Sequence, residues 1–129
     1  MQYMALTGIS SHVLTDLQND RLRSIEIHSP HNFFTIHDAE TGSLVFLTKT
    51  SYSDINTGTI GLIARINRRQ IAIHRLVQST DQIYEEYETY AARLQLELRG
   101  IGRVRRIEQA VIGKPYIVEV DEVNYLEAK

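Results

Sequence analysis

Hydrophobic and polar positions along this chain change period several times, and those changes are its main structural signal. Between Ser79 and Gly100 the apolar residues Ile83, Tyr87, Tyr90, Ala91, Leu94 and Leu98 fall at the spacing of one helix face. Ser79 with Gln82 three residues on has the form of a capping box, and Gly100 stands where a left-handed residue closes a last turn. The spacing therefore predicts a long helix over 79–99. Elsewhere the pattern shortens to period two. Ile25 and Ile27 alternate with polar neighbours from Leu22 to His28, and Ser29 to Asn32 reads as a turn. Phe33 to His37 and Leu44 to Lys49 are rich in aromatic and β-branched residues, and the turn-forming run Asp38 to Ser43 between them predicts a hairpin.

Thr50 to Thr59 is polar and aperiodic, which predicts a flexible loop, with Tyr52 and Ile55 able to dock back. Ile60, Leu62, Ala64 and Ile66 alternate cleanly, Asn67 to Gln70 reads as a turn, and Ile71 to Val77 as the return strand. Arg103 to Ile112 and Tyr116 to Val123 flank Gly113-Lys114-Pro115 as a third hairpin. Ser10 to Asn19 fits a short helix with Val13, Leu14 and Leu17 on one side, and an extended N-terminal segment fits as well. Together these elements predict a single α+β domain over 1–129. Its mostly antiparallel sheet has six or seven strands in sequential hairpins, packed by one long helix.

Composition narrows the class. The 129 residues are 43% hydrophobic and 23% charged with only two prolines, which is the make-up of an ordered domain large enough to bury a core. The absence of cysteine removes disulfides, thiolate nucleophiles and cysteine zinc sites. No apolar run approaches about 18 residues, and the opening Met1 to Leu6 has no basic leader region, so the expectation is a soluble cytoplasmic protein, or part of a particle assembled there, with no membrane contact.

Charge changes the picture more. The formal net charge of −2 conceals segregation. Arg65, Arg68, Arg69 and Arg75 fall in one window, and Arg99, Arg103, Arg105 and Arg106 in another, while Asp81, Glu85, Glu86 and Glu88 gather between them. Arginine suits planar, bidentate contact with carboxylate or phosphate. Arg65, Arg68, Arg69, Arg75, Arg103, Arg105 and Arg106 are thus the candidate binding residues, for a protein partner or for phosphate backbones. Phe33, Phe34 and Tyr52 could stack beside such a face. On the expected helix Tyr84, Ala92 and Leu96 would form a second face, suited to a contact between subunits.

Signals for catalysis are weak. His28, His31 and His37, with Glu26 or Asp38 nearby, are the one candidate metal set, at a spacing that ordinary surface histidines also show. His74 is the other acid–base candidate. No nucleophile elbow occurs, and Gly100-Ile101-Gly102 would follow a helix, where a phosphate loop opens one. No cofactor is implied. The residues point to a non-enzymatic protein-interaction or assembly component, a homo-oligomer or a subunit of a larger structural complex. The alternative is a nucleic-acid-binding module using the arginine-rich face, and the third class is a small-molecule or metal-dependent enzyme.

Overall fold

The computed structural model describes residues 1–19, 22–37, 39–79, 84–111 and 114–123, with the backbone alone described at Leu22, 73–79 and 84–90. The elements run β1 (Gln2–Leu6), α1 (Ser11–Asn19), β2 (Leu22–Ile27), α2 (Pro30–Ile36), β3 (Leu44–Leu47), β4 (Ile60–Ser79), β5 (Tyr84–Gln109) and β6 (Ile117–Val123). The fold described is thus mostly strand, a six-stranded mixed sheet carrying two short helices.

The expected long helix is not there. Its residues from Tyr84 onward are the first two thirds of β5, and the expected cap residues 80–83 lie outside the described residues. Ala92, Leu94 and Leu96 are buried while Arg93 is exposed, a period of two. Leucine, alanine, glutamate and arginine favour a helix by themselves, but here β5 has partners on both sides. It pairs antiparallel with the full length of β4 at Ile60↔Arg103 to Ser79↔Tyr84, with β2 at Leu22↔Glu97 to Ile27↔Ala92, and with β6 at Ile101↔Val123 to Gln109↔Ile117. Tertiary pairing of this extent overrides propensities worth a few tenths of a kcal/mol per residue.

Two further expectations fail for related reasons. Asn67 to Gln70 is no turn, because β4 runs on through it to Ser79. Phe33 to His37 is no strand: Pro30 occupies the first turn of α2, and the helix buries Asn32, Phe33, Thr35 and Ile36 on one side. Ser11–Asn19 is helical as the first reading had it, with the Ser10 hydroxyl accepting the His12 N–H at 3.2 Å.

Strand order is β2-β5-β4-β3-β1-β6, and β6 also pairs with β5, so five strands close into a ring with β2 attached outside it. β1 and β3 are parallel, and the other pairings are antiparallel. Because the ring is packed on both sides, its strands carry continuous apolar runs. Val45 and Leu47 join an outer core and Phe46 an inner one, as Leu62 and Ala64 divide from Ile63. Leu17 of α1 and Phe33 and Ile36 of α2 seal the outer core over Ile25, Ile27, Ala92, Leu94 and Leu96. Tyr3, Ala5, Val104, Val118 and Val120 fill the ring.

Closure depends on bends. Register shifts leave Asn67 as an extra residue in β4, and Arg99, Arg105 and Glu108 as extra residues in β5. Glu97 ties the first two bulges together, accepting from Asn67 Nδ2 at 3.3 Å, Arg65 Nη2 at 3.4 Å and Arg99 Nη1 at 3.4 Å. Glycine stands where strands cross closely. A Cβ on Gly61 would lie 2.3 Å from the Leu47 carbonyl oxygen, and one on Gly102 2.4 Å from Val120 Cγ1.

The polar loop 50–59 is stitched to β5. Gly58 N–H donates to the Val104 carbonyl, Val104 N–H to the Thr59 carbonyl, and the Tyr52 hydroxyl to the Ala110 carbonyl, while Ile55 is buried. Asn32, buried in α2, holds the end of β1 by donating to the Thr7 carbonyl at 2.8 Å and accepting the Thr7 N–H at 2.9 Å.

Two stability measurements test this construction. Gly61→Ala should lower the unfolding free energy by about 3 kcal/mol, since the nearest obstacle is backbone. Asn32→Ala should cost about 2 to 4 kcal/mol by leaving two buried peptide groups without partners. Urea denaturation reads both, and a shift under about 0.5 kcal/mol at either position would be at odds with the crossing or the clamp described.

Candidate functional site

Beyond Ile71↔Ala92 the strands β4 and β5 pair with each other and with no other described strand, from Ala72↔Ala91 to Ser79↔Tyr84. The result is a two-stranded ribbon arm, roughly 25 Å long at about 3.3 Å per residue. A lone ribbon of this kind is marginal in water. Its sequence carries Tyr84, Glu85, Glu86, Tyr87, Glu88 and Tyr90 on one strand and Ile73, Arg75, Leu76 and Val77 on the other. The register sets Arg75 opposite Glu88 and Leu76 opposite Tyr87.

The base of the arm, where β2 joins the sheet, is polar on the face away from the helices. Ser24, Arg68, Gln70, Arg93 and Gln95 line a cup of about 270 Å³ there. Arg93 Nη2 donates to Glu26 Oε1 at 2.5 Å, and His28 Nε2 lies 3.2 Å from the other Glu26 oxygen. The Arg93 and His28 hydrogen bonds hold the Glu26 carboxyl below the usual carboxylate range. Glu97 is lowered likewise, first by its Asn67 bond and then by the Arg65 charge. Arg68 is exposed and has no ion pair among the described residues.

The expected arginine set is therefore dispersed and mostly occupied. Arg65 shares Glu97, and Arg69 donates to the Ile36 and His37 carbonyls, closing the end of α2. Arg105 and Arg106 both lie against Glu119, at 3.6 and 3.0 Å, and Arg106 also meets Glu108. Arg103 is exposed at the register position of Asp121. Arg75 and Tyr84 are placed by backbone only, in the arm. Ala92 and Leu96 are buried beneath the helices, so the expected subunit face of Tyr84, Ala92 and Leu96 does not form. On a helix they would have lain to one side, whereas strand alternation turns both inward.

The histidines do not converge. His28 meets Glu26, His31 stacks on Tyr52 with ring centroids 4.3 Å apart, and His37 lies 5.7 Å from Phe33. Among the described residues no group of three or more His, Asp or Glu could hold a metal ion. Phe33 is core, Phe34 is half exposed, and Tyr52 packs between His31 and Tyr116. A second, larger cleft of about 540 Å³ lies between α1 and β2, but its charged groups answer one another, as Arg23 does Asp16 at 3.3 Å. Ser24, Gln70, Arg93 and Gln95 did not stand out in the sequence. The signal was there in Arg93, the single basic residue between Glu88 and Glu97, once β pairing is known.

Fold and surface together define a class: a small mixed barrel, capped by two helices on one side, that extends a paired ribbon from a polar base. The chain belongs to the family described as protein of unknown function DUF473, whose signature matches residues 1–118. It is also similar to an uncharacterised protein of Methanocaldococcus jannaschii, 29% identical over 108 residues that cover 84% of this chain and 68% of the relative. No solved structure matches it.

Carbon-detected NMR titration tests the base of the arm. The Glu26 carboxyl should titrate below an ordinary glutamate, and Arg93→Gln should move its midpoint up. A carboxyl held low in the folded state stabilises above its unfolded pKa, and that contribution is lost as pH falls through the folded value. An unchanged Glu26 midpoint in Arg93→Gln would mean that the pair does not persist in solution.

Proposed function

We propose that the chain is a non-enzymatic protein-interaction module that self-associates through its β4–β5 arm. One observation carries this reading: eight residues on each strand, 72–79 and 84–91, pair with no described strand outside the ribbon, although the segment is rich in tyrosine and branched aliphatic residues. A free ribbon of that composition is stable when a partner covers it, because two strands alone bury too little surface to offset the ordering of the chain. The arm also speaks for a protein partner over phosphate. It carries Glu85, Glu86 and Glu88 against Arg75, a sign that repels nucleic acid.

Light scattering coupled to size exclusion tests the reading. The full chain should have a defined oligomeric mass. A variant in which residues 74–89 are replaced by a two-residue Asn-Gly turn should keep the sheet signal in circular dichroism and elute as a monomer. A full chain that stays monomeric up to about 100 μM, roughly 10 μM being an ordinary dissociation constant for such contacts, would overturn it.

The nucleic-acid reading rests on the cup at Arg68 and Arg93, which has guanidinium and carboxamide donors for a phosphate. The carboxylate partners of Arg65, Arg93, Arg105 and Arg106 weigh against it. Binding of mixed-sequence single-stranded RNA or DNA that falls steeply with salt, and is lost in Arg68→Gln, would favour this alternative over self-association.

A further inference from the structure

Three adjacent strands place six polar residues in two rows on the sheet face away from the helices. Ser24, Gln95 and Arg68 stand side by side on β2, β5 and β4, and Glu26, Arg93 and Gln70 form the next row. Neighbouring strands lie about 4.8 Å apart and alternate residues roughly 7 Å apart along a strand, so one small molecule can touch both rows. All of these residues except Glu26 line the cup of about 270 Å³. Arg68 reaches it because of the bulge at Asn67. Ile66 pairs with Leu96 and Arg68 with Gln95, so Asn67 is passed over. Regular pairing would set Asn67 opposite Gln95 and turn Arg68 toward the helices, and the extra residue exchanges the two.

The groups that meet there are unspent. Among the described residues, the side chains of Ser24, Arg68, Gln70 and Gln95 make no hydrogen bond, whereas Arg65, Arg69, Arg99 and Arg106 each hold a carboxylate or a carbonyl. Arg93 gives only Nη2 to Glu26, which fixes the guanidinium and leaves its Nε and Nη1 donors available. Paired guanidiniums suit the oxygens of a phosphate. The carboxamides and the hydroxyl both donate and accept, which suits hydroxyl groups beside that anion. No aromatic side chain lines the cup, so a nucleobase would find nothing to stack on. Its volume lies just under the range of about 300 to 1,000 Å³ usual for drug-sized ligands, which favours a small one. Glu26 lies beside the cup at Arg93, and Glu97 follows Gln95 two residues on along β5. A polyanion running past the cup would meet these carboxylates, and a single phosphate seated between the arginines need not.

We infer that the cup binds a small hydroxylated phosphomonoester, with Arg68 and Arg93 on the phosphate and Ser24, Gln70 and Gln95 on the neighbouring hydroxyls. The site belongs to the sheet and does not depend on self-association through the arm, so either can fail without the other.

NMR titration of the full chain with ribose 5-phosphate tests the site. Shifts should concentrate at Ser24, Arg68, Gln70, Arg93 and Gln95 and saturate with a dissociation constant of about 1 mM or tighter. Inorganic phosphate should bind the same residues about threefold or more weakly, and ribose alone should not saturate them. Arg68→Gln should weaken the ester about tenfold or more, and Arg68→Lys should lose less, since it keeps the charge without the planar fork. Arg103→Gln, which removes an exposed cation elsewhere, should leave the affinity unchanged. Shifts scattered over the surface, or an equal loss in Arg103→Gln, would reduce binding to net charge and overturn the site. Equal affinity for inorganic phosphate and the ester would overturn the hydroxylated ligand. Mixed-sequence RNA that binds these five residues about tenfold more tightly than the ester would overturn the assignment in favour of nucleic acid. Should Arg68→Gln fail to fold, the wild-type map still decides: no shift at the cup up to about 10 mM ester overturns the inference.

Discussion

The whole molecule depends on one strand being shared. β5 forms the ring with β4 and β6, holds β2 outside the ring, and supplies one side of the arm. A straight strand of 26 residues could not do all three, since it would leave the ring after a few pairs. The extra residues Arg99 and Arg105 bend it, and Gly102 lets β6 pass against it at a distance no side chain would permit.

That bending also explains why the outer and inner cores can share the same strands. Before the Arg99 bulge, even-numbered residues of β5 such as Ala92, Leu94 and Leu96 lie under the helices. Past it, Ile101 takes that side while Val104 points into the ring. The Glu97 network of Arg65, Asn67 and Arg99 sits where the two strands change parity, so a set of surface ion pairs individually worth little has a defined mechanical place. Most arginines are occupied in this way, bracing strands or closing α2. Among the described arginines, Arg68 in the cup and Arg103 are exposed without an ion pair.

The arm stands apart from the ring: beyond Ile71↔Ala92, β4 and β5 pair with no other described strand. In the self-association proposed above, contact with another copy would offset the chain entropy that ordering this ribbon costs.

Much of the local structure was legible in the residues. The alternation of Ile25 with Ile27, of Ile60 with Leu62 and Ala64, and of Val118 with Val120 marked strands by period alone, and Ser10 marked the start of α1. Composition likewise showed a chain able to bury a core, and the separation of arginines from glutamates was visible before any fold was known. The identity of 84–100 was not legible, because its leucines and alanines satisfy a helical stripe and a strand alternation at once, and only long-range pairing with β2, β4 and β6 chooses between them. Asn67 to Gln70 has the composition of a turn, yet serves as a bulge in a strand whose partner runs past it. The cup was invisible for the same reason: Ser24, Arg68 and Arg93 are far apart in the chain and become neighbours only through register, a property of the tertiary structure that no local pattern encodes.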